Sequence, residues 1–116
     1  MGLRLYGIRN CDTVRKARAW LETHGLDYEF HDFQRAGVAR AQLQDWCRRF
    51  GWERVLNRAG TTFRKLGEAQ RRDLDEAKAI ELMLAQPSMI KRPVLEHVGN
   101  WELGFSEEQY ERVLGR

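Results

Sequence analysis

One cysteine stands where the first predicted strand ends and the first predicted helix begins, in the segment YGIRNCDTVRKA. The thiol of Cys11 would lie near backbone N–H groups that have no partner within the helix and near the positive end of its dipole. Both stabilise a thiolate and lower the pKa of the thiol. Arg9, Arg15 and Lys16 add positive charge nearby, whereas Asp12 opposes it. The position predicts a nucleophile, and the alternative interpretation is a buried structural cysteine.

The position three residues after Cys11 holds Val14, so the segment has no Cys-x-x-Cys pair that could form an internal disulfide. An adduct on Cys11 would therefore need an external thiol to clear it, and glutathione is the obvious cytosolic candidate. The second cysteine, Cys47, lies in an apolar helical stripe, which favours a core thiol. It would act as a resolving thiol only if that helix lay over the site.

The composition is typical of a soluble globular protein, with 42% hydrophobic and 32% charged residues in a chain of 116. No apolar run approaches the roughly 18 residues needed to cross a bilayer, and the N-terminus is too mixed for a secretory signal. We therefore expect a cytoplasmic protein with no membrane partner. The net charge of +3 permits an anionic ligand or an acidic protein surface but does not argue for nucleic acid. The scattered histidines predict no metal site.

The elements around Cys11 read as strand, helix and strand. LRLYGI (3–8) predicts a strand, and Asp12 or Thr13 is the predicted cap of a helix that ends at Gly25. The apolar positions of this helix recur at helical spacing and should face a core: Val14, Ala17 and Leu21. DYEFHDF (27–33) predicts a second strand. Such a unit implies parallel strands and a right-handed crossover.

A helical middle follows, predicted as an insertion over about 38–86. Its first helix carries apolar residues at helical spacing: Leu43, Trp46, Cys47 and Phe50. DLDEAKAIELMLAQP predicts a second helix, with Asp73 and Glu76 at capping-box spacing and Pro87 as its stop. The predicted buried stripe of that helix is Ala77, Ile80 and Leu84.

The C-terminal part predicts two strands and a helix. RPVLEHV (92–98) and WELGF (101–105) should pair through a tight turn at Gly99-Asn100. Ser106 and Gln109 have capping-box spacing and open a last helix to about Leu114. The order of elements predicts an α/β fold with a mixed four-stranded sheet and a helical insertion between the βαβ and ββα parts.

The chain resembles the ArsC-like branch of the thioredoxin-like fold, which holds glutaredoxin-coupled arsenate reductases, Spx-type RNA polymerase regulators and YffB-type proteins. The resemblance rests on YGIRNCDTVRKA, on RVLNRAGTTFRKLG and on LMLAQPSMIKRPVLE, which together cover nearly the whole chain. NCDTVRKA looks most like the YffB type. The resemblance implies a single thioredoxin-like domain over residues 1–116.

The resemblance also implies roles for particular residues. Cys11 matches the nucleophilic cysteine, and Arg58 and Arg92 match two arginines of an oxyanion site. Pro93 matches a proline that is cis beside the active cysteine. From the sequence alone, Arg58 would be a solvated helix residue and Arg92 a strand-edge residue packing on its stem.

Other candidates for the same site are weaker. Arg9 and Lys16 are further candidate ligands for the anion, with solvation as the default interpretation. Arsenate reductases carry a third arginine just before the last helix, where this chain has Gly104 or Phe105.

The leading hypothesis is a glutathione-dependent thiol-disulfide reductase in which Cys11 attacks a disulfide or an oxidised substrate. Glutathione would be a co-substrate that resolves the adduct, no tightly bound cofactor is expected, and glutaredoxin is a further candidate partner. Two alternatives stay open: an arsenate reductase using glutathione and glutaredoxin, and a regulator that docks on RNA polymerase without chemistry. The missing third arginine argues against the first, and the absent Cys-x-x-Cys against the second.

Overall fold

The computed structural model describes residues 2–115. They divide into two compact units: one contains the chain up to Ala36 together with the chain from Arg92 onward, and the other is Gly37–Lys91. The second unit is a helical insertion in the first, as predicted, although the prediction ended it near residue 86. That residues 1–116 make a single domain stays a prediction. Within the described residues no helix has the length and apolar character needed to span a membrane.

The elements follow the predicted order. In chain order they are β1 Leu3–Gly7, α1 Asp12–Thr23, β2 Tyr28–Asp32, α2 Phe33–Ala36, α3 Arg40–Phe50, α4 Trp52–Val55, α5 Thr61–Arg64, α6 Glu68–Arg71, α7 Glu76–Ala85, a 3-10 helix Pro87–Met89, β3 Val94–His97, β4 Asn100–Leu103 and α8 Glu107–Leu114. The second predicted strand is shorter than expected, because the chain turns into α2 directly after Asp32.

The first unit is built on one four-stranded mixed sheet in the order β2, β1, β3, β4. β1 pairs in parallel with β2 and antiparallel with β3, which pairs antiparallel with β4. The predicted α/β class and the mixed sheet are therefore confirmed. Gly7 and Asp32 form the last pair of the β1–β2 ladder, so both strands end at the same edge of the sheet. The segments after them begin side by side.

The core of the first unit lies between the sheet and the helices α1 and α8. The predicted apolar face of α1 is buried, and Trp20 joins it. Tyr110 of α8 is fully buried, with its ring edge-on to that of Trp20. The cluster consists of Leu3, Leu5, Ala17, Trp20, Leu21, Leu95 and Tyr110. Because β1 and α1 each bury one face in this cluster, their packing holds the end of β1 and the start of α1 in place.

The inserted unit contains the helices α3 and α7. The predicted stripe of α3 is confirmed for Leu43, Trp46 and Cys47, whereas Phe50 is only partly buried. An ion pair between Arg40 of α3 and Glu81 of α7 joins their surfaces.

The start of α7 differs from the prediction. Asp73 has a φ of 54°, which is not the extended conformation of a helix cap. Asp75 is the cap instead, and its carboxylate accepts the N–H of Lys78 at 2.8 Å. The predicted stripe was therefore wrong at Ala77, which is exposed, and at Leu84, which is partly buried. The helix buries Ala79, Ile80 and Met83.

Two C-terminal details also differ. The hairpin turn is Val98-Gly99, with φ of 50° and 79°, so Asn100 belongs to β4 and pairs with His97. Strand register thus overrides the local preference for asparagine at a turn. Ser106 does cap α8, accepting the N–H of Gln109 at 3.0 Å. The capping box is not closed, because the Gln109 side chain donates instead to Glu102 and to the Leu103 carbonyl.

Candidate active site

Cys11 itself is the N-cap of α1, a role that the sequence analysis gave to Asp12 or Thr13. Its φ of −115° and ψ of 127° are extended, as a cap requires. Its carbonyl accepts the N–H of Arg15 at 2.9 Å, which opens the helix. The residue is partly buried. The thiol therefore lies beside the amides of the first turn and retains access to solvent.

The surroundings of Cys11 favour a thiolate. Burial alone would raise the pKa of the Cys11 thiol. Against it act the Val14 amide, then a hydrogen bond and the positive charge of Arg92, and then the Thr13 amide. Together these groups hold the pKa of Cys11 below its ordinary value. A lowered pKa increases the thiolate fraction at neutral pH, which is the form that attacks disulfides.

Arg92 reaches the thiol from the segment before β3. The Arg92-Pro93 peptide bond is cis, which is the arrangement that the family resemblance implies. The Pro93 carbonyl accepts the N–H of Gly104 at 2.8 Å. Gly104 has a φ of 81°, a conformation that favours glycine. Gly104 is one of the two positions where the family resemblance places the third arginine of arsenate reductases, and here it makes a buried backbone contact to Pro93.

The side chains that follow Cys11 are directed elsewhere. The Asp12 carboxylate, which opposes a thiolate, is paired with Arg15 at 2.5 Å in an exposed ion pair. The Val14 side chain is fully buried. A β-carbon on Gly7 would lie only 2.8 Å from its Cγ2, so valine packs directly against β1. Val14 therefore serves the core with its side chain and Cys11 with its amide.

Arg9 and Lys16 lie in other environments. The Arg9 guanidinium stands 5.7 Å from the centre of the Phe30 ring on β2. Lys16 lines a surface groove together with Trp20 and Glu107. Their roles as anion ligands stay predictions.

Arg58 belongs to the inserted unit and is exposed. Its guanidinium lies 5.7 Å from the centre of the Trp52 ring. The loop that carries it is held by backbone bonds, because Asn57 donates to the Met89 carbonyl at 2.8 Å. Its role in binding an anion stays a prediction.

Cys47 has the opposite setting to Cys11. Only 3% of its surface is exposed, on the buried side of α3. Burial, with smaller contributions from the carboxylates of Glu76 and Glu53, raises the pKa of the Cys47 thiol to about 11. The predicted core thiol is confirmed. Such a thiol is almost fully protonated at neutral pH and is a poor nucleophile.

One residue of this region was missed by the sequence analysis. Asp32 was assigned to the interior of a strand, but its carboxylate accepts backbone N–H groups of Gln34 at 3.0 Å and of Arg9 at 3.4 Å. An acidic residue directly before FQRA is a helix-cap signal that could have located it. Among residues 2–115 no group of three or more histidine, cysteine, aspartate or glutamate residues is placed to hold a metal ion.

A mixed four-stranded sheet built from a βαβ part and a ββα part, with a helical insertion between them, defines a thioredoxin-like fold. More narrowly, the chain belongs to the ArsC family, whose family model matches residues 6–113. The resemblance seen in the sequence is therefore confirmed.

Individual relatives fall in three groups. The structure of the YFFB protein is 61% identical, with a TM-score of 0.93, and the match covers 97% of this chain and 98% of that one. An arsenate reductase related protein from Brucella melitensis is 54% identical, with a TM-score of 0.80 and coverage of 98% and 95%. The global transcriptional regulator Spx of Streptococcus pyogenes is 28% identical over 92% of this chain and 81% of its own. Both arsenate reductase-like and Spx-like proteins are thus relatives.

Proposed function

We propose that this protein is a glutathione-dependent thiol-disulfide reductase in which Cys11 is the only nucleophile and glutathione is the co-substrate. The observation that carries the proposal is the setting of Cys11. Two first-turn amides and the Arg92 guanidinium act on one partly buried thiol and lower its pKa. An activated thiol without a cysteine three residues later is suited to forming a mixed disulfide rather than an internal one.

The reaction balances with glutathione as the reductant. The Cys11 thiolate attacks the glutathione-side sulfur of a mixed disulfide R–S–S–G, and the released R–S⁻ takes a proton from solvent. The thiolate of a second glutathione then attacks the glutathione sulfur of the Cys11 adduct. This step frees the Cys11 thiolate and forms glutathione disulfide. The sum is R–S–S–G + GSH → R–SH + GSSG, in which the incoming glutathione sulfur is oxidised as the sulfur of R is reduced to a thiol.

Glutathione, rather than Cys47, is the proposed resolving thiol. The chain has two cysteines, and Cys47 is buried with a pKa raised to about 11. An attack by Cys47 would need both exposure of the α3 core and loss of a tightly held proton. Glutathione is a small external thiol, so its attack requires neither opening of the α3 core nor ionisation of a buried thiol.

The anionic part of glutathione is the proposed ligand of the arginines. Glutathione carries two carboxylates, and guanidinium groups bind carboxylates through paired charge-assisted hydrogen bonds. Arg92 already contacts the Cys11 thiol, so a carboxylate near the reacting sulfur could reach it. Arg58 is proposed as a further anion ligand on the family resemblance alone, and its guanidinium is exposed.

The test is glutathione-dependent reduction of a small mixed disulfide of glutathione by the wild type, Cys11→Ser and the matched control Cys47→Ser. We expect background rates for Cys11→Ser and near wild-type turnover for Cys47→Ser, with circular dichroism confirming that each variant is folded. Undiminished turnover in Cys11→Ser would exclude this function. A parallel loss in folded Cys47→Ser would exclude the single-cysteine mechanism.

Arsenate reduction is the second candidate, because a 54% identical relative is an arsenate reductase related protein. Against it stands the lack of an arginine at Gly104 and Phe105, where the family resemblance places the third arginine of arsenate reductases. Turnover of arsenate with glutathione and glutaredoxin, lost in Arg92→Ala, would favour this candidate over the disulfide reductase.

A binding function is the third candidate, because Spx regulators are relatives over most of the chain. It would not require a reactive thiol. Recovery of RNA polymerase with purified wild-type protein, equally with Cys11→Ala, would favour docking over chemistry.

A further inference from the structure

The carboxylate of Asp32 joins two segments that leave the same edge of the sheet. Its Oδ1 accepts the N–H groups of Gln34 at 3.0 Å and Arg35 at 3.3 Å, in the first turn of α2. Its Oδ2 accepts the N–H of Arg9 at 3.4 Å, in the segment between β1 and α1. We propose that Asp32 is a positioning residue: one oxygen caps α2, and the other fixes the backbone that carries Cys11 two residues further on.

The place of this contact in the sheet explains why a side chain is needed. The parallel ladder between β1 and β2 ends at the pair Gly7 and Asp32. Beyond it the two backbones diverge, one toward Cys11 and the other into α2, so ladder hydrogen bonds no longer connect them. The Asp32 carboxylate extends the connection by two residues past the last pair.

A second contact attaches Arg9 to β2. The Arg9 guanidinium lies 5.7 Å from the centre of the Phe30 ring, two residues before Asp32 on the strand. Arg9 is thus held by its amide and by its side chain. The 3.4 Å bond is at the long end of the usual range and contributes modestly alone. The two contacts together restrict the segment that ends in the thiol.

This inference rests on the proposed role of Cys11 as the nucleophile. The Val14 and Thr13 amides and Arg92 stabilise the thiolate only while the sulfur stays within hydrogen-bond reach. The negative charge of Asp32 itself disfavours a nearby thiolate. The other charges near Cys11 in sequence are Arg9, Lys16 and the ion pair of Asp12 with Arg15. Positioning and charge therefore predict opposite effects when Asp32 is changed.

The variant Asp32→Asn tests the roles of the two carboxylate oxygens separately. Its single carbonyl oxygen can still cap α2, because asparagine is a good helix cap. Its NH₂ group cannot accept the Arg9 N–H. The matched control is Asp75→Asn in the inserted unit, where an aspartate caps α7 through the Lys78 N–H and makes no second backbone contact among the described residues. Both variants lose one negative charge at a helix cap.

The experiment measures the rate of iodoacetamide alkylation of Cys11 against pH, with Cys47→Ser in every protein so that one thiol reacts. We expect Asp32→Asn to raise the midpoint by about half a pH unit, which is about threefold less thiolate at neutral pH. Asp75→Asn should leave the midpoint unchanged. An unchanged or lowered midpoint in Asp32→Asn would overturn the inference, since loss of charge alone lowers it.

A measurement on the wild type covers the case in which Asp32→Asn does not fold. The Arg9 amide should exchange its hydrogen several-fold more slowly than the exposed Asn10 amide, and equal exchange would overturn the inference. Neither readout uses glutathione. Failure of the reductase assay would therefore remove the proposed function and leave the Asp32 result standing, and the reverse outcome would be equally distinct.

Discussion

Cys11 lies at the edge of the sheet in the first unit, and Cys47 lies on the buried side of α3 in the inserted unit. The same functional group meets backbone amides and a guanidinium in one place, and apolar burial with two nearby carboxylates in the other. The pKa of Cys11 is lowered as a result, and that of Cys47 is raised to about 11.

The comparison of the two cysteines shows what lowers the pKa of a thiol in this chain. Both thiols lose solvation through burial, which raises the pKa in each case. Only Cys11 recovers that loss, because it caps a helix and because Arg92 arrives from far along the chain. A helix interior offers no free amides to Cys47, since they are bonded within α3. Position at a helix start, together with the Arg92 contact, separates a thiol with a lowered pKa from one with a raised pKa.

The largest expected effect is the ratio of alkylation rates of the two thiols. At pH 7 a thiol with a pKa of about 11 is about one ten-thousandth thiolate, whereas Cys11 is ionised more readily than a free thiol. We expect iodoacetamide to modify Cys11 in Cys47→Ser at least about a hundredfold faster than Cys47 in Cys11→Ser. Quantitative mass spectrometry of the native proteins measures both rates.

Alkylation of the unfolded proteins is the control for the ratio of the two native rates. In concentrated urea the two variants should react at rates within about twofold of each other, because both thiols then have the ordinary pKa of an exposed cysteine. Similar native rates would mean that α3 opens readily, and would remove the contrast between the two regions.

The next effect comes from Arg92, whose side chain donates a hydrogen bond to the Cys11 thiol and places a positive charge beside it. Arg92→Gln removes its charge and weakens the hydrogen bond. We expect the midpoint of Cys11 alkylation to rise by about one pH unit, with about tenfold less thiolate at neutral pH.

Arg112→Gln on α8 is the matched control, because it removes an equal charge from an exposed position of the same unit. Its midpoint should stay within about 0.2 units of wild type, as expected for a screened surface charge. Equal shifts in both variants would assign the effect to net charge and not to contact with the thiol.

The sequence predicted the two regions unequally. Around Cys11 the local patterns predicted α1 from the stripe of Val14, Ala17 and Leu21 and the parallel unit from the flanking strands, but they placed the helix cap one or two residues late. The contact with Arg92 is nonlocal, and only the family resemblance pointed to it. The role of Asp32 was not predicted, because a strand pattern and a helix cap overlap at that residue. The aromatic pattern of DYEFHDF extended the predicted strand one residue beyond it.

In the inserted unit the errors came from competing local signals. Two aspartates, Asp73 and Asp75, both precede α7, and capping-box spacing favoured the wrong one. Tertiary packing of Ala79, Ile80 and Met83 fixes the actual start. The prediction of the hairpin turn was wrong for the same reason. His97 pairs with Asn100, so the turn consists of Val98 and Gly99. Short-range preferences are weak where a register can slip by one or two residues.

The smallest expected effect is on stability, where the two thiols should act with opposite signs. The folded pKa of Cys47, about 11, lies above its ordinary value of 9.0. As pH rises, the unfolded chain loses this proton first, so the contribution to stability is full below pH 9 and disappears as pH passes the folded value. Between pH 9 and 10 the free energy of unfolding should fall by roughly 1 kcal/mol for this reason.

The lowered pKa of Cys11 reverses the sign, because there the unfolded chain holds the proton longer. Its contribution is present above the ordinary thiol pKa and is lost as pH falls through the folded value. Urea unfolding of wild type, Cys47→Ala and Cys11→Ala from pH 6 to 10 measures both. Subtracting each variant from wild type cancels the lysines and tyrosines that also titrate in this range. Difference curves with the same sign for both cysteines would show that the two regions do not treat a thiol differently, whatever their reactivity.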